Sequence, residues 1–422
     1  MFNLKKEIVL EKFQEEGVRY LLKHHYAILG DKMGLGKTIQ AIAVASFLRL
    51  RTVVVCPSYL RSNWAAEIEK FSMRRNVRVI KSGEDLRWYV PSDEHFIIVS
   101  YSLIKSAKKL FNWCEYVVAD EAQNLKNPKA KRTNYFLEML EECRPERCTQ
   151  LSGTIIKNGV DELYTQLVFM GKSPKKTNGR SISEVCSNYY SFKESFSNSY
   201  VKEVRGRTIK QYHGVKNLKV LKNIMKGKYI RRDESVLDLP EYMEKEIYVD
   251  YKGKDKKLWD AFQNKDKSSD STTKAKAALQ TAKFTAEYAK GLHEAEGAPI
   301  VVYTDHVQSC IEIAERLGVP HIHGGIPNRK RDEIIAAFKA GEQVFFVATI
   351  GAASTGITLV QGNHLVFNDL SWVPGNNIQA WKRIHRIGQT KTCFIHYIFG
   401  TKTSGRIKNA VGVKSKVLKE VL

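Results

Sequence analysis

Short runs of apolar and β-branched residues alternate with stretches of helical periodicity in the first part of the chain. Tyr26–Leu29, Thr52–Cys56, Phe96–Ser100 and Tyr116–Ala119 are such runs. Most of their successive positions are apolar, which predicts strands buried on both faces. Thr38–Leu50 and Ser58–Phe71 carry helical patterns between them. This β-then-α alternation predicts a parallel sheet covered by helices. The pattern returns with Pro299–Tyr303, His321–His323, Gln343–Ala348 and His364–Phe367 as strands, and His306–Leu317 and Pro327–Ala340 as helices. Two α/β lobes are therefore expected. The material between them differs. Val201–Arg232 holds eleven basic residues against one acidic residue, Glu203. Lys267–Thr273 is uniformly polar and reads as a loop, and Thr273–Glu296 is alanine-rich and reads as a helix. No short-period repeat runs through the chain.

Composition narrows the class. At 422 residues there is room for two or three domains, each with its own core. The apolar fraction of 43% is ordinary for a soluble globular protein. The balance of 68 basic to 45 acidic residues, a net charge of +23, points to a polyanionic partner, most often nucleic acid. The seven cysteines are scattered without a Cys-x-x-Cys pair, which suits free thiols in a reducing, intracellular compartment. No apolar signal core opens the chain, and no run approaches membrane-spanning length.

The chemistry lies at strand ends. Ala27-Ile-Leu-Gly30, then Asp31-Lys-Met-Gly-Leu-Gly-Lys-Thr38, then a helix, is a strand–loop–helix arrangement. Glycines let backbone amides turn toward phosphate oxygens, and the helix start adds a favourable dipole. Lys37 suits the β- and γ-phosphates, and the Thr38 hydroxyl suits magnesium. The strict P-loop spacing needs glycine at position 31, which is Asp31, so only Gly34-Leu-Gly-Lys-Thr38 fits the pattern. Asp120-Glu-Ala-Gln123 follows a strand. A carboxylate there can hold a magnesium shell, and its neighbour can polarise an attacking water. Leu151-Ser-Gly-Thr154 and Ala348–Thr358 are small, polar loops at strand ends, suited to close backbone contact with phosphates. Arg383 and Arg386, on an expected helix with Gln379, Ala380 and His385, have guanidinium groups that suit paired bonds to phosphate oxygens.

With these residues assembled, the chain resembles the Swi/Snf family of helicase superfamily two, which moves on double-stranded DNA. Phe13-Gln14 with Gly17-Val18 is similar to the family's adenine-recognition segment. Val55-Cys-Pro-Ser58 with Asn63-Trp64, Ser100-Tyr101, Asn124–Asn127, Leu151–Asn158, Arg231-Arg232 before Leu239-Pro240, Ile322–Gly325, Trp372-Val-Pro374 and Gln379–Gln389 match further family segments. The second lobe is most similar to the branch of annealing helicases and fork remodellers. Lys32 departs from the usual acidic residue. Ile155 replaces a usual proline, which implies a less rigid loop, and Ala353-Ser354 replaces the glycine pair of chromatin remodellers. No accessory domain is expected before Gln14 or after the second lobe.

The resemblance implies two RecA-like lobes with parallel sheets and helical insertions between them. The first is expected over 1–238, with a basic helical insertion at about 158–232; the second over 239–422, with a helical insertion at about 254–297. It implies ATP and Mg2+ as cofactors. Gln14, Asp31, Met33, Gly34, Leu35, Gly36, Lys37, Thr38, Gly356 and Gln379 would bind nucleotide, and Thr38 and Asp120 would hold the metal. Lys37, Asp120, Glu121, Arg383 and Arg386 would carry catalysis, with both arginines closing on the phosphates from the second lobe. Nucleic-acid contacts are implied for Pro57, Ser58, Asn63, Trp64, Ser100, Tyr101, Asn127, Gly153, Lys157, Asn158, Thr304, Gly324, Gly325, Thr349 and Trp372. The expected activity is ATP-driven movement on double-stranded or branched DNA, with annealing or branch migration ahead of displacement of DNA-bound proteins. A monomer is expected, intracellular and without a membrane partner. A strand-separating DNA or RNA helicase and a non-hydrolysing DNA-binding scaffold are the competing readings.

Overall fold

The computed structural model describes residues 3–153, 155–156, 159–173, 186–204, 207–249, 271–353, 357–400, 408–409 and 411–412. The chain divides into two compact units between Val236 and Leu237.

Among the described residues, nine strands lie in the first unit: β1 (Tyr26–Leu29), β2 (Thr52–Cys56), β3 (Val77–Val79), β4 (Phe96–Ser100), β5 (Tyr116–Asp120), β6 (Arg147–Leu151), β7 (Asn198–Val204), β8 (Arg207–His213) and β9 (Tyr229–Ile230). Seven of them form a sheet in the order β3-β4-β2-β5-β6-β1-β9, all parallel. The continuous apolar runs explain its two-sided burial. Val53 and Val55 enter one core with Ile97 and Val117, and Val54 and Cys56 enter the other with Ile98 and Val118. Covering helices include Lys37–Leu48, Arg61–Phe71 and Lys131–Cys143. Register sets where the loops emerge. Asp120 pairs with Leu151, Leu151 with Leu29, and Leu29 with Ile230, so four chain segments leave the sheet at one level.

The second unit holds β10 (Tyr242–Tyr248), β11 (Ile300–Thr304), β12 (His321–Ile322), β13 (Phe345–Thr349), β14 (His364–Phe367) and β15 (Cys393–Phe399). They form a parallel sheet in the order β10-β15-β14-β11-β13-β12. The α/β class with parallel sheets is as expected.

Two expectations need correction. The basic stretch of the first insertion is not wholly helical: β7 and β8 form an antiparallel hairpin, followed by the helix Leu218–Met225. Tyr200, Val201, Thr208, Ile209 and Tyr212 are β-branched or aromatic, which favours paired strands over a solvated helix. The polar segment expected as a loop also ends early, because the helix Ser271–Glu296 begins inside it; residues 267–270 lie outside the described set.

Two histidines of the second unit carry a thermodynamic consequence. His364 and His396 are buried on neighbouring strands, with Nδ1 of the first 3.3 Å from Nε2 of the second. The Tyr288 hydroxyl lies 2.8 Å from His396 Nδ1. Burial pushes the His396 pKa down to about 3 and lowers that of His364. Unfolded histidine titrates near 6.5, so below about pH 6.5 the unfolded chain binds protons that the fold excludes. The stability is fully present above that value and falls as the pH drops, by up to about 1.4 kcal/mol per pH unit per histidine. Melting curves between pH 7.5 and 5 should show this loss, and His396→Phe should reduce its slope. Parallel curves for the two proteins would contradict the assignment.

Candidate active site

The loop after β1 is shaped by its glycines. Gly34 and Gly36 have φ of 90° and 69°, in the left-handed region that glycine enters without strain. Gly36 leads into the helix Lys37–Leu48, and no side chain caps that helix start. Its first-turn amides therefore suit an anion. The Lys37 ammonium donates to the carbonyls of Asp31 (2.9 Å) and Lys32 (3.2 Å), inside the cradle. A β-carbon at Gly153 would lie 2.7 Å from Met33 Cγ and 3.4 Å from Lys37 Nζ, so the turn after β6 runs directly against the cradle. Met33 and Thr38 are half-buried, and Leu35 is buried.

Asp31 behaves differently from the expectation. Its carboxylate is buried and held by Arg232, whose Nε donates to Oδ1 at 3.0 Å and whose second terminal nitrogen donates to Oδ2 at 2.6 Å. The Arg232 amide also donates to Oδ1 at 3.0 Å, and Gln40 Nε2 donates to Oδ2 at 3.1 Å. Asp31 therefore meets the cradle through its backbone and does not offer its carboxylate to a ligand. Removing one partner of such a buried pair costs about 3–5 kcal/mol. Neither Arg232 nor Gln40 was among the expected site residues. The available signal was an acidic residue inside an apolar strand–loop turn, whose burial demands a cation. Gln14 is buried too: it accepts from the Glu11 amide at 3.1 Å and donates to Leu35 O at 3.4 Å.

The second carboxylate stands two strands away. Asp120 ends β5, and its Oδ2 accepts the indole N–H of Trp64 at 2.8 Å. Its Oδ1 caps the Glu121 amide at 2.8 Å, and the Tyr101 hydroxyl donates to its carbonyl at 2.7 Å. Desolvation first, then the neighbouring Glu121 charge, pushes its pKa up to about 6; the Trp64 bond and the Lys37 charge pull the other way. Glu121 sits at φ 51°, an uncommon conformation for a non-glycine residue. Its carboxylate accepts from Gln123 Nε2, Gln123 Oε1 accepts the Ser152 hydroxyl at 2.8 Å, and Asn124 braces its carbonyl at 2.8 Å. A polar chain thus joins the carboxylate turn to the turn beneath the cradle. Ile155 is buried, its carbonyl accepts from Gln166 at 2.7 Å, and a β-carbon on Gly30 would lie 2.3 Å from its Cδ1. Packing and this bond hold Ile155 in place.

Several of the residues expected to contact nucleic acid are buried in this structure. Trp64 and Tyr101 are buried and direct their polar groups to Asp120. Ser100 is buried against Ser102 (2.9 Å). In the second unit Thr304 is buried and donates to Asp369, and Thr349 is buried within the sheet. Gly153 is buried at the cradle. Their side chains are thus engaged within the protein, and Gly153 has only backbone to offer. Ser58, Asn63, Asn127, Gly324 and Gly325 are exposed, and Pro57 and Trp372 are half-buried. Lys157, Asn158 and Gly356 lie outside the described residues.

In the second unit, Arg383 and Arg386 both donate to the Ile357 carbonyl, at 3.4 and 3.3 Å. They do not lie on the helix expected for them. The helix Pro374–Trp381, which buries Gln379, ends before them, and turns carry the chain to Gly388 at φ 98°. Gln389 Nε2 donates to Ile384 O at 3.0 Å, taking an acceptor that helical continuation would use. Asp305, His306 and Asp369 cluster at the end of β11. The Lys274 ammonium, 2.5 Å from Asp305, already supplies that cluster's counter-charge.

Residues 13–295 match the SNF2-related domain, and residues 282–388 match the helicase conserved C-terminal domain. The SWI/SNF-related matrix-associated actin-dependent regulator of chromatin subfamily A-like protein 1 of Xenopus tropicalis is 31% identical over 424 residues, covering 94% of this chain and 43% of that protein. The DNA annealing helicase and endonuclease ZRANB3 of Homo sapiens is 26% identical over 431 residues, covering 93% and 38%. An uncharacterized ATP-dependent helicase of Mycoplasma pneumoniae is 26% identical over 456 residues, covering 94% and 41%. The chain thus spans about two-fifths of the length of these relatives.

The Trp64–Asp120 bond yields a test. An N–H donated to a carboxylate favours the charged form. Trp64→Phe should therefore raise the Asp120 pKa above its value of about 6 in the metal-free protein, read by NMR titration of the carboxyl carbon. An unmoved titration in a folded Trp64→Phe protein would separate Trp64 from the carboxylate's charge.

Proposed function

Because the chain belongs to the SNF2-related family, with a helicase conserved C-terminal domain alongside, we propose that it is a DNA-dependent ATP hydrolase that moves along double-stranded DNA and remodels it by annealing, branch migration or fork remodelling, or displaces bound proteins. The observation that carries this reading is the register of β5, β6 and β1, which aligns the Lys37 cradle with the Asp120–Glu121 turn at one end of the sheet. The name of the human relative, a DNA annealing helicase, supports the choice of activity.

Each residue has a distinct task. The cradle amides and Lys37 bind the phosphates, and Thr38 and Asp120 hold Mg2+. The bound ATP–Mg2+ supplies the phosphoryl group whose hydrolysis releases free energy. Glu121, fixed by its strained backbone and by Gln123, orients the attacking water. Arg383 and Arg386 serve as arginine fingers, a role worth about 10³–10⁵ in rate where measured in related phosphoryl transfer. The cationic segment from β7 to Arg232 grips the DNA backbone without reading sequence. Among the described residues no helix is long and apolar enough to cross a membrane.

Turnover of ATP measured without nucleic acid, then with single-stranded, duplex and forked DNA and with RNA, decides between readings. Stimulation by duplex or forked DNA is expected. Stimulation by RNA alone would favour a strand-separating helicase, and no turnover in any condition would favour a scaffold. Lys37→Ala and Glu121→Gln should each abolish turnover while DNA binding persists.

Neutralising Lys202, Lys216, Lys219 and Lys222 together should flatten the dependence of log affinity on log salt by about 3–4 units, at about 0.9 per phosphate contact. An unchanged slope would remove that segment from the interface.

A further inference from the structure

We infer that Arg232 is a positioning residue for the nucleotide, joining the cradle to the adenine-reading segment so that both phosphate grip and base preference depend on it. The inference rests on the ATP reading above. Arg232 stands 201 residues beyond Asp31 in sequence, and its side chain is 11% exposed. One planar cation there meets three separate segments. It forks onto the Asp31 carboxylate at 3.0 and 2.6 Å. It reaches Gln40 Oε1, on the helix after the cradle, at 3.1 Å. It also donates to the Phe13 carbonyl, with its guanidinium carbon 5.6 Å from the centre of the Phe13 ring.

Each contact leads to a ligand-facing group. Phe13 precedes Gln14, whose amide nitrogen meets Leu35 O in the cradle at 3.4 Å; a β-carbon on Gly36 would lie 2.5 Å from that nitrogen. The position of Phe13 therefore sets where the Gln14 amide stands above the loop. Asp31 shares its residue with the carbonyl that receives Lys37 Nζ at 2.9 Å. Holding Asp31 therefore holds the site of the phosphate-binding ammonium. The Arg232 carbonyl accepts from the Lys32 amide at 2.9 Å, and Ile230 O from the Gly30 amide at 2.7 Å, so the exit strand continues along the cradle. Gly17 closes the arrangement: a β-carbon there would lie 1.8 Å from Gln40 Oε1 and 2.5 Å from the Arg232 guanidinium, so the Lys12–Lys23 helix presses on the ion pair itself. Lysine can supply the charge but not the geometry, because an ammonium has no planar fork to hold a carboxylate and two carbonyl-type oxygens together.

The test uses the full chain with Arg232→Gln, Arg232→Lys and, as a surface control, Arg316→Ala. Melting temperature, KM and kcat for ATP, and the ratio of ATP to GTP use are measured for each. Arg232→Gln should raise KM for ATP by up to about 100-fold, the scale of an ångström-sized misplacement, and move the ATP-to-GTP ratio toward one. Arg232→Lys should shift the same two quantities by a smaller amount while keeping a near-normal melting temperature. The inference is overturned if a folded Arg232→Lys keeps the wild-type KM and nucleotide preference. It is equally overturned if both variants lose melting temperature and kcat together with no change in preference, which is the mark of a purely structural pair. Equilibrium binding of a fluorescent ATP analogue separates the two readings. A wild type that binds the analogue without turnover would undo the hydrolase assignment, and unchanged binding by Arg232→Lys would undo this one.

Discussion

A carboxylate buried in a phosphate-binding loop has to be neutralised, and that requirement organises the first unit. Asp31 is fully buried where the chain turns from β1 into the cradle. A lone charge in that position would cost several kcal/mol. The compensating cation comes from residue 232, after the chain has built six further strands of the sheet and a hairpin. The chain therefore returns across the cradle as β9 before it leaves the unit at Val236. A fold completed this way couples its last segment to its ligand loop through a salt bridge and two backbone bonds, not through loop length.

The second carboxylate at this end of the sheet relies on a related arrangement. Trp64, Tyr101 and the Glu121 amide converge on Asp120 from three separate elements. None of these donors is charged. The Trp64 and Glu121 N–H groups orient the carboxylate without neutralising it, so its charge stays available to a cation, and the Tyr101 hydroxyl holds the backbone carbonyl. The strained Glu121 backbone persists because Asp120 below it and Asn124 beside it over-determine its position. The Glu121–Gln123–Ser152 chain of hydrogen bonds links that turn to the one beneath the cradle.

Much of this was legible in the residues, for physical reasons that also mark the limit. Thr52–Cys56 and Ile300–Thr304 are buried on both faces, and a two-sided apolar run reads the same in sequence as in space. The cradle was legible because glycines with positive φ leave a local signature. β10 was not, because it is an exposed edge strand whose Glu244, Lys245 and Glu246 resemble a solvated loop. The roles of Trp64 and Tyr101 were hidden because they sit on the helix Arg61–Phe71 and the turn after β4 while their partner ends β5, and bonds between distant elements have no sequence spacing. The non-helical path of Arg383 and Arg386 was hidden for the same reason: Gln389 and Gly388, which end the helical geometry, act through carbonyls several residues back.

The same residue type thus serves two purposes two strands apart, and the partner decides which. Asp31 receives a guanidinium fork, an amide and the Gln40 side chain, which together use both carboxylate oxygens and leave no lone pair for a metal. Asp120 receives an indole N–H and an amide, so burial and Glu121 push its pKa up to about 6 with no cation fully offsetting the cost. A carboxylate left under-compensated in this way favours a divalent cation, because the ion supplies the missing positive charge. The division of labour between the two acids is therefore set by the reach of Arg232 and Trp64, residues that touch neither phosphate nor metal in the proposed arrangement.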